Sequence, residues 1–175
     1  MRIIRDLLGL SAEGERSGGD IIRRIADELD RLEPDHAKYL ASFAFILSRV
    51  ANADHEVSPE EVAAMEALVI KKGGVTGDQA TLVVQMARVQ QKLFGATDDF
   101  LVTRELERVA TYEQKVSLID CLYAVAAVDE RIFNAEANEI SRVGRELKVD
   151  QTDLSNLRSK YRDFLEARRG LTPGA

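Results

Sequence analysis

Apolar residues recur along this chain at intervals of three and four, and β-branched alternation over five or more residues is hard to find. A 3.6-residue period predicts amphipathic helices rather than strands. Asp20 can cap a first helix carrying Ile21, Ile22, Ile25 and Leu29. Pro34-Asp35 opens a second, to about residue 53, with Leu40, Phe43, Ala44, Leu47, Val50 and Ala51 on one face. Ser58-Pro59-Glu60-Glu61 starts a third, with a capping hydroxyl, proline at the first helical position and glutamate three residues after the serine. That helix stops at Gly73-Gly74 behind Lys71-Lys72, cations placed where a helix dipole favours them. Further helices are expected over about 76–94, 97–110, 112–128 and 134–147, and an eighth from Asp150 into the Arg168-Arg169 region. None of the three prolines interrupts an apolar period. The expected fold is all-α, a compact bundle of about seven to eight helices with short connections and roughly antiparallel neighbours. Residues 1–19 read as an N-terminal segment and linker, 20–169 as the helical domain and 170–175 as a flexible tail.

Composition sharpens this little and charge rather more. At 175 residues and 45% apolar content the chain fits one globular domain with a real core. Twenty-four basic against 30 acidic residues leave a net charge of −6, which repels nucleic acid and anionic lipid at long range. The basic pairs Lys71-Lys72 and Arg168-Arg169 are short, separated and read as solvated helix ends. The one cysteine, Cys121, excludes an internal disulfide and fits a reducing compartment. No apolar run reaches the ~20 residues of a membrane span, and the first ten residues are too charged for a secretory signal. A cytoplasmic location is therefore expected.

The sixth and seventh expected helices repeat the second and third at an offset of 75 residues. Leu47, Val50, Ala51, Asp54 and Glu61 recur as Leu122, Val125, Ala126, Asp129 and Glu136, while Phe43, Val57, Met65 and Leu68 become Leu118, Ile132, Ile140 and Val143. The match of apolar rows and acidic positions suggests a duplicated helical hairpin, its copies facing each other across a pseudo-two-fold axis. Asp54 follows Ala51 and Leu47 by three and seven residues, and Glu61 precedes Met65 and Leu68 by four and seven, so both prolong apolar stripes. Asp129 and Glu136 repeat the arithmetic. A carboxylate at the core-side end of a helix is costly unless it is paired, capped or bound to a cation.

Asp54 through Glu61 has the spacing of the last eight positions of an EF-hand, including the apolar Val57 and the closing glutamate. The first and third ligand positions would be Val50 and Asn52, or Val125 and Ala127, and His55 and Glu130 stand where glycine makes the sharp turn. A self-contained EF-hand is excluded. Two readings stay open. In one, Asp54, Glu61, Asp129 and Glu136 share a divalent cation (calcium, magnesium or zinc) through oxygen ligands. In the other these acids only cap helices: Asp54 and Asp129 accept the amides that open the following helix and Glu61 completes a capping box with Ser58, while in the second copy Phe133 replaces the serine and only Asn134 can cap.

The two segments, Val50-Ala51-Asn52-Ala53-Asp54-His55-Glu56-Val57-Ser58-Pro59-Glu60-Glu61 and Val125-Ala126-Ala127-Val128-Asp129-Glu130-Arg131-Ile132 through Glu136, resemble the TerB-like family, named for tellurite resistance protein B. The resemblance covers about residues 36–150. It implies a compact helical bundle, an acidic cluster that binds metal, no enzymatic activity, and association with stress-response or membrane-linked complexes. The family's usual Asp-Gly is absent, since His55 and Glu130 replace the glycine.

Other constellations carry less. Cys121 lies on the apolar side of its helix near Leu118 and Leu122, with no histidine in the pattern to activate it. His36 reads as a solvated residue near a helix start, and His55 as a loop residue adjoining Asp54. Two histidines and one cysteine do not make a standard zinc site. The expected role is a non-catalytic binding or scaffold protein with protein partners and a cation at the shared seam. A metal-dependent hydrolase using the same carboxylates and a purely structural interaction module are the alternatives.

Overall fold

A computed structural model describes residues 19–50, 59–93, 99–128 and 130–165. Among these the chain forms α1 (Gly19–Asp30), α2 (Pro34–Val50), α3 (Pro59–Gly73), α4 (Gly77–Leu93), α5 (Asp99–Val109), α6 (Tyr112–Ala126), α7 (Asn134–Glu146) and α8 (Gln151–Lys160). The all-α bundle expected from periodicity is what the chain builds. Apart from Gly19, the expected N-terminal segment lies outside the described residues, as do the tail at 170–175 and His55.

The architecture is centred on α2. Eleven of its 17 residues are buried, as a helix apolar on nearly every side requires. It packs against α1, α4, α5, α6 and α7, while α3 lies on α4 and α6, and α7 and α8 close the bundle over α6. Contacts of α2 with α6 and α7, and of α3 with α6, run between the two segments read as copies; the duplication itself remains a reading of their sequences.

The helix ends follow local chemistry. Thr111 and Gln114 form a reciprocal capping box: Thr111 Oγ1 accepts the Gln114 N–H at 3.2 Å, and Gln114 Oε1 accepts the Thr111 N–H at 2.8 Å. At the end of α3, the Tyr39 hydroxyl donates to the Gly73 carbonyl at 3.3 Å, and a Cβ on Gly73 would stand 2.8 Å from the Phe43 ring. Gly74 then takes a φ of 67°, which glycine adopts without penalty. The end of α7 is a Schellman motif. The Lys148 N–H donates to Arg145 O, and the Val149 N–H to Gly144 O, both at 3.0 Å. Lys148 holds the left-handed position with φ 58°.

Two expected boundaries shift. The first helix begins at Gly19, one residue before its expected cap. The eighth ends at Lys160 instead of reaching Arg168. Tyr161 ends it by turning inward: its ring stacks on Tyr123 with centroids 5.5 Å apart, and its hydroxyl reaches Asp120. The chain then turns so that the Ile132 N–H donates to Phe164 O at 2.7 Å, and Ile132 pairs with Leu165 in a single parallel bridge.

Candidate functional site

The apolar stripes expected to carry the acidic seam are core. Phe43, Leu47, Val50, Leu118, Leu122, Val125, Ile140 and Val143 are all buried, and Met65 and Leu68 pack half-buried against them. Glu136, which prolongs the stripe of Ile140 and Val143, is half-buried at the start of α7. Its Oε2 accepts the Phe133 N–H at 2.8 Å. Asp54 and Asp129 lie outside the described residues, as does the side chain of Glu61.

The bond at Glu136 corrects one expectation. Asn134 is the first residue of α7 rather than its cap, and Phe133 is the N-cap. The phenyl ring accepts nothing, so the glutamate alone supplies the carboxylate half of a capping box by holding the cap amide. The Arg131 guanidinium lies 4.7 Å from the centroid of the Phe133 ring and covers its exposed face.

The loop that leads to α7 keeps the shape glycine would give it. Glu130 has φ 57°, the left-handed region that glycine favours. Its N–H donates to Ala127 O at 2.9 Å, closing the turn behind α6. Replacing glycine here leaves the sharp turn in place and adds strain of about 1–2 kcal/mol. Ile132, the apolar residue of the motif, is fully buried and takes Leu165 as its backbone partner.

One ion pair joins the end of α2 to α7. Arg49, at the end of α2 and five residues before Asp54, donates to Glu139 Oε1, three residues after Glu136 in α7. Arg142 holds the same carboxylate from within α7, with Nη2 2.8 Å from Oε1 and Nε 3.0 Å from Oε2. Its Nη1 lies 3.7 Å from Glu146 Oε1. Burial works to raise the Glu139 pKa, but Arg142 and Arg49 outweigh it and hold the carboxyl below its ordinary range. Sequence reasoning passed over this group. Glu139, Arg142 and Glu146 have helical spacing that marks a charged face, but nothing local joins that face to Arg49, 90 residues away.

Two other expectations concern single residues. Cys121 is buried as expected. Burial and then the neighbouring Asp120 push its thiol pKa up to about 12, which removes it as a nucleophile at neutral pH. His36 is not simply solvated: it is half-buried, its ring stacks against Tyr39 at 6.2 Å, and its Nε2 lies 2.7 Å from the Gln79 amide nitrogen. Among the described residues no group of three or more histidine, cysteine or acidic side chains is placed to hold a metal ion. Nor is any helix long and apolar enough to cross a membrane.

A family model described as tellurite resistance protein TerB matches residues 40–159, from the first turns of α2 to the last turn of α8. No curated protein and no solved structure gives a significant match.

Proposed function

Since this chain belongs to the TerB family, we propose that it is a non-catalytic binding module of a tellurite-resistance-type stress system, acting through protein partners that include membrane-associated complexes. In this reading the acids Asp54, Glu61, Asp129 and Glu136 hold one divalent cation between the two helix junctions. The observation that carries it is the Arg49–Glu139 ion pair, which draws the end of α2, five residues before Asp54 in sequence, onto the first turns of α7. Glu136 fits a ligand's part. A carboxylate has about four lone-pair sites and can accept an amide hydrogen bond and ligate a cation at once. Oxygen donors of this kind suit calcium or magnesium better than soft metals. A bound cation would supply a fixed positive charge that locks the two junctions together.

Thermal melting of the full chain with calcium, magnesium or zinc tests this. A ligand that binds only the folded state raises its stability by about 2.7 kcal/mol at a hundred times its Kd. The rise is expected to vanish in the Asp54→Ala, Asp129→Ala double variant. Glu136→Gln keeps an acceptor for the Phe133 N–H but loses the charge, so the cation reading expects the rise to shrink, whereas pure capping expects no rise in either protein. No shift with any of the three ions would overturn the proposal.

A further inference from the structure

The polar faces of α7 and α8 meet in a cleft of about 320 Å³, within the size range of small-molecule sites. Asn138, Ser141 and Arg145 stand at i, i+3 and i+7 on α7, and Gln151, Ser155 and Arg158 at i, i+4 and i+7 on α8, so each helix turns one hydrogen-bonding stripe into the cleft. Gly144 brings the helices close: a Cβ there would lie 2.4 Å from Leu154 Cδ2, and Leu154 is the apolar member of the lining. No acid belongs to the lining.

The acids on these two helices are largely committed elsewhere. Glu139 and Glu146 face Arg49 and Arg142, Glu136 holds the Phe133 N–H, and Asp153 Oδ2 accepts the Tyr112 hydroxyl at 2.7 Å. Arg145 and Arg158 have no acidic partner among the described residues. Arg158 Nη1 reaches only the Ser141 hydroxyl, at 3.3 Å, a neutral acceptor. In a chain of net charge −6, two guanidinium groups on facing helices, surrounded by amides and hydroxyls, form a local site of the opposite sign. Guanidinium forks match the geometry of an oxyanion, and neighbouring amide and hydroxyl donors complete its shell.

We propose that the α7–α8 cleft binds a small phosphate-class oxyanion, with Arg145 and Arg158 pairing its charge and Gln151, Asn138 and Ser155 donating to its remaining oxygens. The site is separate from the acidic seam and independent of whether that seam holds a cation.

Isothermal titration of the full chain with inorganic phosphate, and separately with glycerol phosphate, at constant ionic strength tests this. Saturable binding is expected. Arg145→Gln and Arg158→Gln are each expected to weaken it about tenfold or more, as loss of a charge-assisted hydrogen bond does. Both side chains are exposed, so the melting temperature without phosphate stays unchanged. Arg24→Gln, at an exposed arginine on α1, leaves the affinity unaltered. Tighter binding of glycerol phosphate identifies a phosphorylated small molecule, and equal affinity identifies free phosphate; both support the site. A heat signal that does not saturate, or an equal loss from Arg24→Gln, would mean only diffuse charge attraction and overturn it. So would binding confined to vesicles containing phosphatidylglycerol. Asp54→Ala with Asp129→Ala leaves phosphate binding intact, which separates failure here from failure at the seam.

Discussion

The Tyr161 hydroxyl donates to Asp120 Oδ1 at 2.8 Å, and the same carboxylate receives Lys160 from the end of α8 and Lys72 from α3. One acid on α6 thus collects three donors from two other parts of the chain. Tyr161→Phe keeps the stack on Tyr123 and removes one hydrogen bond to a charged group. It is expected to cost about 1.5–3 kcal/mol. Urea denaturation would show it, and an unchanged midpoint would mean that water replaces the hydroxyl without loss.

Asp120 and Glu139 also contribute to the acid sensitivity of the fold. Burial works to raise both pKa values, but Lys160, Tyr161 and Lys72 around Asp120, and Arg142 and Arg49 around Glu139, hold them low. A carboxyl whose folded pKa is depressed contributes stability above its unfolded pKa and loses it as pH falls through the folded one. The stability from these two groups is therefore expected to be level from pH 7 to about 5 and to fall below about pH 4, where carboxyls protonate. Asp120→Asn should flatten that fall in urea midpoints collected across the range. An identical slope would remove Asp120 from the account.

The end of α7 allows two glycine substitutions with opposite signs. Lys148 sits at φ 58°. Lys148→Gly relieves about 1–2 kcal/mol of left-handed strain and returns about 0.4–1 kcal/mol through a freer unfolded chain. A net gain of roughly 0.5–1 kcal/mol is expected by thermal melting. Gly144→Ala drives a methyl into Leu154 and is expected to cost about 1–3 kcal/mol. Equal melting temperatures for the pair would show that α8 gives way freely.

Cys121 offers a probe of the core. With its thiol buried and its pKa pushed up to about 12, the folded protein is expected to resist an aromatic disulfide reagent at pH 8 and to react fully in denaturant. Rapid reaction without denaturant would mean that α6 opens locally.

Helix periods are local, so the order of the helices and the buried stripes could be read from spacing alone. Gly73-Gly74 could be read as a helix stop too, because glycine's own backbone freedom decides the outcome there. Distant partners could not be read. The eighth helix stops at Lys160 because Tyr161 finds Tyr123 and Asp120, some 40 residues earlier, and no periodicity encodes that meeting. Arg49 and Glu139 are likewise joined only by the tertiary fold. For the seam, the stripes leading to it were legible, and so was the position of Glu136 at its end. The bond from Glu136 to the Phe133 N–H was not legible, because a phenylalanine offers no side-chain acceptor to mark the cap.

The central place of α2 has a consequence for the chain as it is made. Its burial is completed by α5, α6 and α7, all synthesised later. A nascent chain therefore carries a helix apolar on nearly every side, covered only in part by α1 and α4 until the later helices have left the ribosome. Its covering contacts lie far away in sequence, and such contacts form late in folding. A helix exposed in this way is a natural client for chaperones, and slowing translation after α2 would prolong its exposure and favour aggregation.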